Sequence, residues 1–263
     1  MYKRAILIIL VWILSVLFWV WAKPWIENPL RLSWDERIWL KPLIMLVIFV
    51  AVQGLALLLV GSRPWRWGIT LVSALPYFIV FEFGGFYWAA LPVMILLQMY
   101  AGHAIHTEVA ERTKVNIYHI MERGLPSLVT SLLVMISLAF FLSPSTQASV
   151  QRQELPPATK TIVEKSVSIL AGEQLQNLPP DQRRSFLNQA TGEVLKQFNN
   201  ILKPYFKYFP PILAFGLFLI LQGLSFIFVW LAIAVAMGLF WIIKKSGLIR
   251  IRMVQKEAEE LEV

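Results

Sequence analysis

Cysteine is absent from the 263-residue chain. That excludes disulfides, Cys-ligated zinc, iron–sulfur clusters and thiol catalysis, and it leaves the redox compartment unreadable. Charge is scarce too. Asp, Glu, Lys and Arg make up only 15% of the residues, against roughly 25% in an average soluble domain. The shortage is local. Long stretches carry no charge and the charges crowd between them, the pattern of membrane spans joined by wet loops. Signature motifs are also missing. There is no P-loop, Gly-rich dinucleotide fingerprint, GxSxG elbow, HExxH helix or DxD-like phosphate site. The hallmarks of transporters, rhomboid-type proteases, lipid phosphatases and secretion translocases are not found either.

What is present is apolar: 57% of the residues are hydrophobic. The formal charge of +8 sits mostly beside the apolar runs. Orientation in an anionic membrane accounts for it, and no nucleic-acid partner is expected. The expected class is all-α: a polytopic membrane protein of about six transmembrane helices, with a small extracytoplasmic helical insertion between spans five and six.

The membrane domain covers 1–142, with spans at 5–22, 42–60, 64–81, 86–103 and 125–142. The first run resembles a signal peptide behind Lys3 and Arg4. It exceeds the roughly 7–15 residues of an h-region, and Ala22-Lys23-Pro24-Trp25 offers no small-x-small cleavage site, so an uncleaved span is expected. Ser33-Trp34-Asp35-Glu36 matches a capping box, so the second helix should start before Pro42. Gly84-Gly85 permits a tight turn between spans three and four. Segment 210–245 contains 33 uncharged residues, Pro211–Ile243. One long tilted helix is preferred, because a hairpin would leave legs of about 14 residues, too short to span comfortably.

Segment 143–209 is the only sizeable soluble part. Ile162, Val163, Val167, Ile169 and Leu170 form a rough stripe over Ala158–Gly172. Phe186, Leu187, Ala190, Val194, Leu195, Phe198, Ile201 and Leu202 recur at spacings of three and four. Two amphipathic helices are expected, forming a cap too small for a large core of its own. The tail 246–263 is left open as strand, frayed helix or coil.

Basic residues set the direction. With the N-terminus inside, inner segments hold twelve: Lys3, Arg4, Arg63, Arg66, Arg112, Lys114, Arg123, Lys244, Lys245, Arg250, Arg252 and Lys256. The short outer loops hold four: Lys23, Arg31, Arg37 and Lys41. The expectation is a multi-pass protein of the cytoplasmic membrane, both termini cytoplasmic and 143–209 extracytoplasmic.

Few side chains suggest chemistry. His103, His106 and His119 follow the fourth span, with Glu108, Glu111 and Glu122 nearby. His103 and His106 are three apart, so on a helix they share a face and are candidate metal ligands. The competing and favoured reading is an interfacial helix end. Glu82 is the one acid inside the third-to-fourth hairpin and a candidate intramembrane polar site. Gln53, Gln98 and Gln222 are amides within spans, more often packing groups than pore linings. Ala232, Ala236 and the pair Ala234/Gly238 give small-xxx-small spacing. Arg31, Trp34, Asp35, Glu36 and Arg37 read as a capped interfacial helix. No cofactor is expected.

Three functions compete. The preferred one is a non-enzymatic scaffold or assembly component, engaging a membrane-protein partner or a second copy through its external helices. The alternatives are a small transporter, channel or permease, and an interfacial membrane enzyme.

Overall fold

Every element of the computed structural model is a helix, and no strand occurs among the described residues. Those residues are 2–27, 36–81, 88, 90–112, 114–144, 146–147, 163–164, 166–169, 179–202 and 208–247. Seven helices are named here: α1 Tyr2–Glu27, α2 Glu36–Leu59, α3 Arg63–Val80, α4 Ala90–Glu111, α5 Ile117–Leu142, α6 Pro180–Leu202 and α7 Phe209–Lys245.

Four stretches are long and apolar enough to cross a bilayer: Arg4–Glu27, Leu40–Leu59, Ile117–Leu142 and Pro210–Lys245. The sequence pattern suggests six. Helices α3 and α4 miss the criterion for a chemical reason: Arg63, Arg66, Thr70 and Ser73 dilute α3, and Gln98, His103 and His106 dilute α4.

Helix ends differ from the apolar runs. Helix α2 does begin ahead of Pro42, at Glu36, while Ser33, Trp34 and Asp35 lie outside the described residues. Helix α4 starts at Ala90 and runs on to Glu111, because a helix that leaves an apolar layer needs no apolar residues to continue. Helix α5 starts at Ile117, eight residues before the apolar run at 125. Its N-cap is Asn116, whose side chain accepts a hydrogen bond from the Tyr118 N–H at 3.1 Å. The charged first turns are thus helical, which hydrophobicity alone does not reveal. Helix α7 is continuous over 37 residues, about 55 Å. Its prolines sit in the first turn, where no helical N–H is lost. It ends at Ser246 and Gly247, whose φ of 73° lets the Gly247 N–H bond the Lys244 carbonyl. The Lys245 ammonium lies 5.0 Å above the Trp241 ring.

Of the two amphipathic helices expected within 143–209, α6 falls at the second. The first falls largely outside the described residues, with 163–164 and 166–169 helical within it.

The bundle is built around α2. Helix α1 lies against α2 and α3, α5 lies between α4 and α7, and α7 also packs on α2. In lipid, burial of apolar surface drives association little; close packing and hydrogen bonds do it. Two glycines permit the closest approaches. A Cβ on Gly54 would come within 2.5 Å of Leu125, and one on Gly124 within 2.3 Å of Ile105. At the other end, the buried Trp19 ring meets Tyr77 edge-on at 4.9 Å and Phe18 at 4.7 Å. Beside it the Lys23 ammonium donates to the Val80 carbonyl at 2.9 Å, satisfying the exposed end of α3. Ala232 and Ala236 are fully buried where α7 meets the bundle, whereas Ala234 and Gly238 lie on its uncovered face with Trp230 and Trp241.

Candidate functional site

Two polar assemblies interrupt the apolar interior. The first joins four helices at mid-depth. Gln53 on α2, Gln98 on α4, Thr70 and Ser73 on α3 and Ser15 on α1 are all completely buried. The Gln53 amide N–H₂ donates to the Gln98 amide oxygen at 2.9 Å and to the Ser73 hydroxyl at 3.0 Å. The Ser73 hydroxyl has the Gln98 oxygen at 2.7 Å and the Thr70 carbonyl at 2.8 Å as acceptors. The Ser15 hydroxyl donates to the Ser73 carbonyl at 2.7 Å. Gln53 Oε1 and Gln98 Nε2 have no hydrogen-bond partner among the described residues. The node has no titratable group and no nucleophile activated by a base. What it does is bind α1, α2, α3 and α4 to one register. Gln222 stands apart and accepts from Thr130 at 3.3 Å, joining α5 to α7.

The second assembly lies at the end of the bundle where α2 ends uncharged and α3, α4 and α5 carry their charges. Glu108 on α4 has a side chain only 8% exposed. Its carboxylate accepts from Arg112, one turn later, and from Arg123 on α5 at 2.6 Å. Arg123 also donates to Glu111 at 2.9 Å. The cluster staples the α4–α5 turn. His106 is half-buried, and its Nε2 donates to the Leu57 carbonyl at 2.9 Å, one of the acceptors that the end of α2 leaves free. A Cβ on Gly102, one turn earlier on α4, would come within 3.6 Å of Leu57 and 4.0 Å of the stem of Arg66.

These contacts separate the three histidines. His103 is exposed, His106 turns inward to α2, and His119 meets Glu122 at 3.2 Å on the outside of α5. Among the described residues, no group of three or more His, Cys, Asp or Glu side chains is placed to hold a metal ion. Glu82, Arg31, Trp34 and Asp35 lie outside the described residues, as do the side chains of Glu36 and Arg37.

Sequence spacing signals the Glu108–Arg112 pair, an i,i+4 contact. It does not signal Arg123, fifteen residues from Glu108, or Ser15 and Ser73, because one hydroxyl in a span has no pattern. In the sequence, Arg66 speaks to orientation only.

Both inner groups link stability to pH. Burial above all, then the Arg66 guanidinium, lowers His106 from its ordinary value of 6.5. The unfolded chain therefore takes up this proton first. The stabilising contribution is complete above about pH 6.5 and is lost as pH falls toward the native value. Hydrogen bonds from Arg123, then Arg112, hold the Glu108 carboxyl below its ordinary 4.5. Its contribution is complete above about pH 4.5 and is lost as pH falls through the native value. The melting temperature in detergent should fall in two stages on acidification. His106→Gln should remove the upper stage and Glu108→Gln the lower. A melting temperature flat from about pH 7 to about pH 5 would contradict the first assignment, and one flat from about pH 5 to about pH 3 the second.

No family model, curated protein or solved structure matches this chain. Its function must be argued from its own residues.

Proposed function

We propose that this chain is a non-enzymatic membrane scaffold that engages a protein partner, or a second copy of itself, through its external helix α6. One observation carries the reading. Helix α6 has an apolar face, yet it makes no extensive contact with any other described helix. Phe186, Phe198 and Ile201 lie on that face, 44%, 50% and 69% exposed. Leu187, Ala190 and Val194 continue it and are partly buried, with Thr191 buried beside them, so the open part of the face is Phe186, Phe198 and Ile201. Exposed apolar stripes on soluble helices mark contact surfaces.

In this reading the membrane part anchors α6. All of α1, α2, α3, α4, α5 and α7 cross the bilayer, with both termini on the cytoplasmic side. Support comes from the packing of α3 along α1 and of α4 along α5, and from the short α2–α3 and α4–α5 connections, which favour antiparallel neighbours. It comes also from the excess of Lys and Arg at one end. The transport alternative needs amides free to line a path, and the amides of Gln53 and Gln98 are bonded to each other.

Photo-crosslinking amino acids placed at Phe186 and Phe198 test the reading in intact membranes. A single discrete protein adduct, mapped by mass spectrometry to one partner or to the same chain, is expected. The same probe at Ser185, exposed on the opposite face, should give none. Adducts with lipid alone, or equal yield from all three positions, would overturn it.

A further inference from the structure

A cationic notch lies beside the Glu108 cluster and shares none of its carboxylates. Arg66 sits near the start of α3, its stem 4.0 Å from where a Cβ on Gly102 of α4 would lie. Its Nε is buried and has no hydrogen-bond partner among the described residues. One turn earlier, at the N-cap of α3, the Ser62 hydroxyl is also buried and without a partner, and it makes no capping bond. The first turn of α3 contains no acid. Across the notch stands His106, whose charge balance Arg66 already affects. Arg63 flanks it and, like Arg66, has no ion pair among the described residues. The nearest acids of α4, Glu108 and Glu111, are committed to Arg112 and Arg123.

A guanidinium partly withdrawn from water with no anion is costly, and so is a buried hydroxyl with no partner. One ligand satisfies both: an oxyanion accepting from Arg66 Nε and Ser62 Oγ together. The start of a helix adds favourable potential for negative charge. The depth is also telling. Trp65 and Trp67 bracket Arg66, and Trp67 is 42% exposed. Tryptophans concentrate at the head-group layer.

We infer that Ser62, Arg66 and the α4 face at Gly102–His106 form a phosphate-binding site for the head group of an anionic phospholipid. This inference does not depend on the role proposed for α6. Phosphate suits the notch because its oxygens accept from several donors at once, and a net anionic head group is favoured where Arg63 and Arg66 would repel choline.

Native mass spectrometry of the full chain released from detergent tests the site. Added phosphatidylglycerol should be retained in preference to phosphatidylcholine. Arg66→Gln should weaken retention by about tenfold or more, the loss of a charge-assisted contact, and Ser62→Ala by about threefold. Arg66→Lys keeps the charge and removes Nε, so it should weaken binding in the same direction and carries the test if Arg66→Gln does not fold. Lys244→Gln, a basic residue outside the notch, should leave retention unchanged. Inorganic phosphate is the second arm. If it binds in an Arg66-dependent way and the lipid does not, the oxyanion site stands and free phosphate is its source. Equal weakening by Arg66→Gln and Lys244→Gln, or retention of neither ligand, would overturn the site.

Discussion

Gly124→Ala is expected to lower the unfolding free energy by about 1–3 kcal/mol, the usual cost of overpacking a filled interior. The added methyl would sit 2.3 Å from Ile105 Cγ1, 2.8 Å from its Cδ1 and 3.3 Å from the Ala101 carbonyl oxygen. Neither Ile105 nor Gly124 has room to move, since Ile105 is fully buried and α4 and α5 make the tightest helix pair of the bundle. A branched side chain against backbone yields less than the end of a flexible one. Ile105→Ala should itself be costly, by about 2–5 kcal/mol, because it opens a cavity. In the double variant the new methyl fills part of that space. The combined loss should therefore fall short of the sum of the two single losses. Denaturant unfolding in a fixed detergent measures all three. Strict additivity would mean that these two residues do not touch.

Gln98→Leu should cost about 1–3 kcal/mol, because it strands the Gln53 amide among buried groups. Removing Gln98 leaves the Gln53 N–H₂ with only the Ser73 hydroxyl, itself completely buried. Gln53→Leu should cost a similar amount, since the Gln98 oxygen then keeps only Ser73. Changing both to leucine removes the paired amides together, and Ser73 still has the Thr70 carbonyl. The double variant should lose much less than the two singles combined, and hydrogen bonds between membrane helices set the remaining loss at about 0.6–2 kcal/mol. If instead the double variant is as damaged as the sum, the amides act on something other than each other, and the packing role fails.

The buried carboxylate teaches a different lesson about legibility. Glu108 and Arg112 are one helical turn apart, and that spacing is readable in the chain. Nothing local announces Arg123, which reaches Glu108 only because the short turn between α4 and α5 folds it back. His103 and His106 show the opposite failure. Their spacing of three suggests a shared site, but one is exposed and the other caps α2. Helical spacing says which residues share a face. It does not say what that face meets.

The sequence by itself determined the class of this protein and much of its helix content. Lengthy uncharged runs leave the backbone no way to satisfy its polar groups in lipid except helix, so α1, α2, α5 and α7 were legible from composition alone. The single helix of α7 was legible too, because two legs of about 14 residues could not span a bilayer. Where those helices end was not legible, because hydrophobicity tracks the surroundings of a helix and not its hydrogen bonds. Only the tertiary structure decided that Gln53 and Gln98 meet, that Gly54 and Gly124 are points of contact, and that Arg66 lies beside His106 with no acidic partner among the described residues. Each of these joins residues from different helices. Their distances follow from how the helices pack, and no periodicity along one chain segment encodes that.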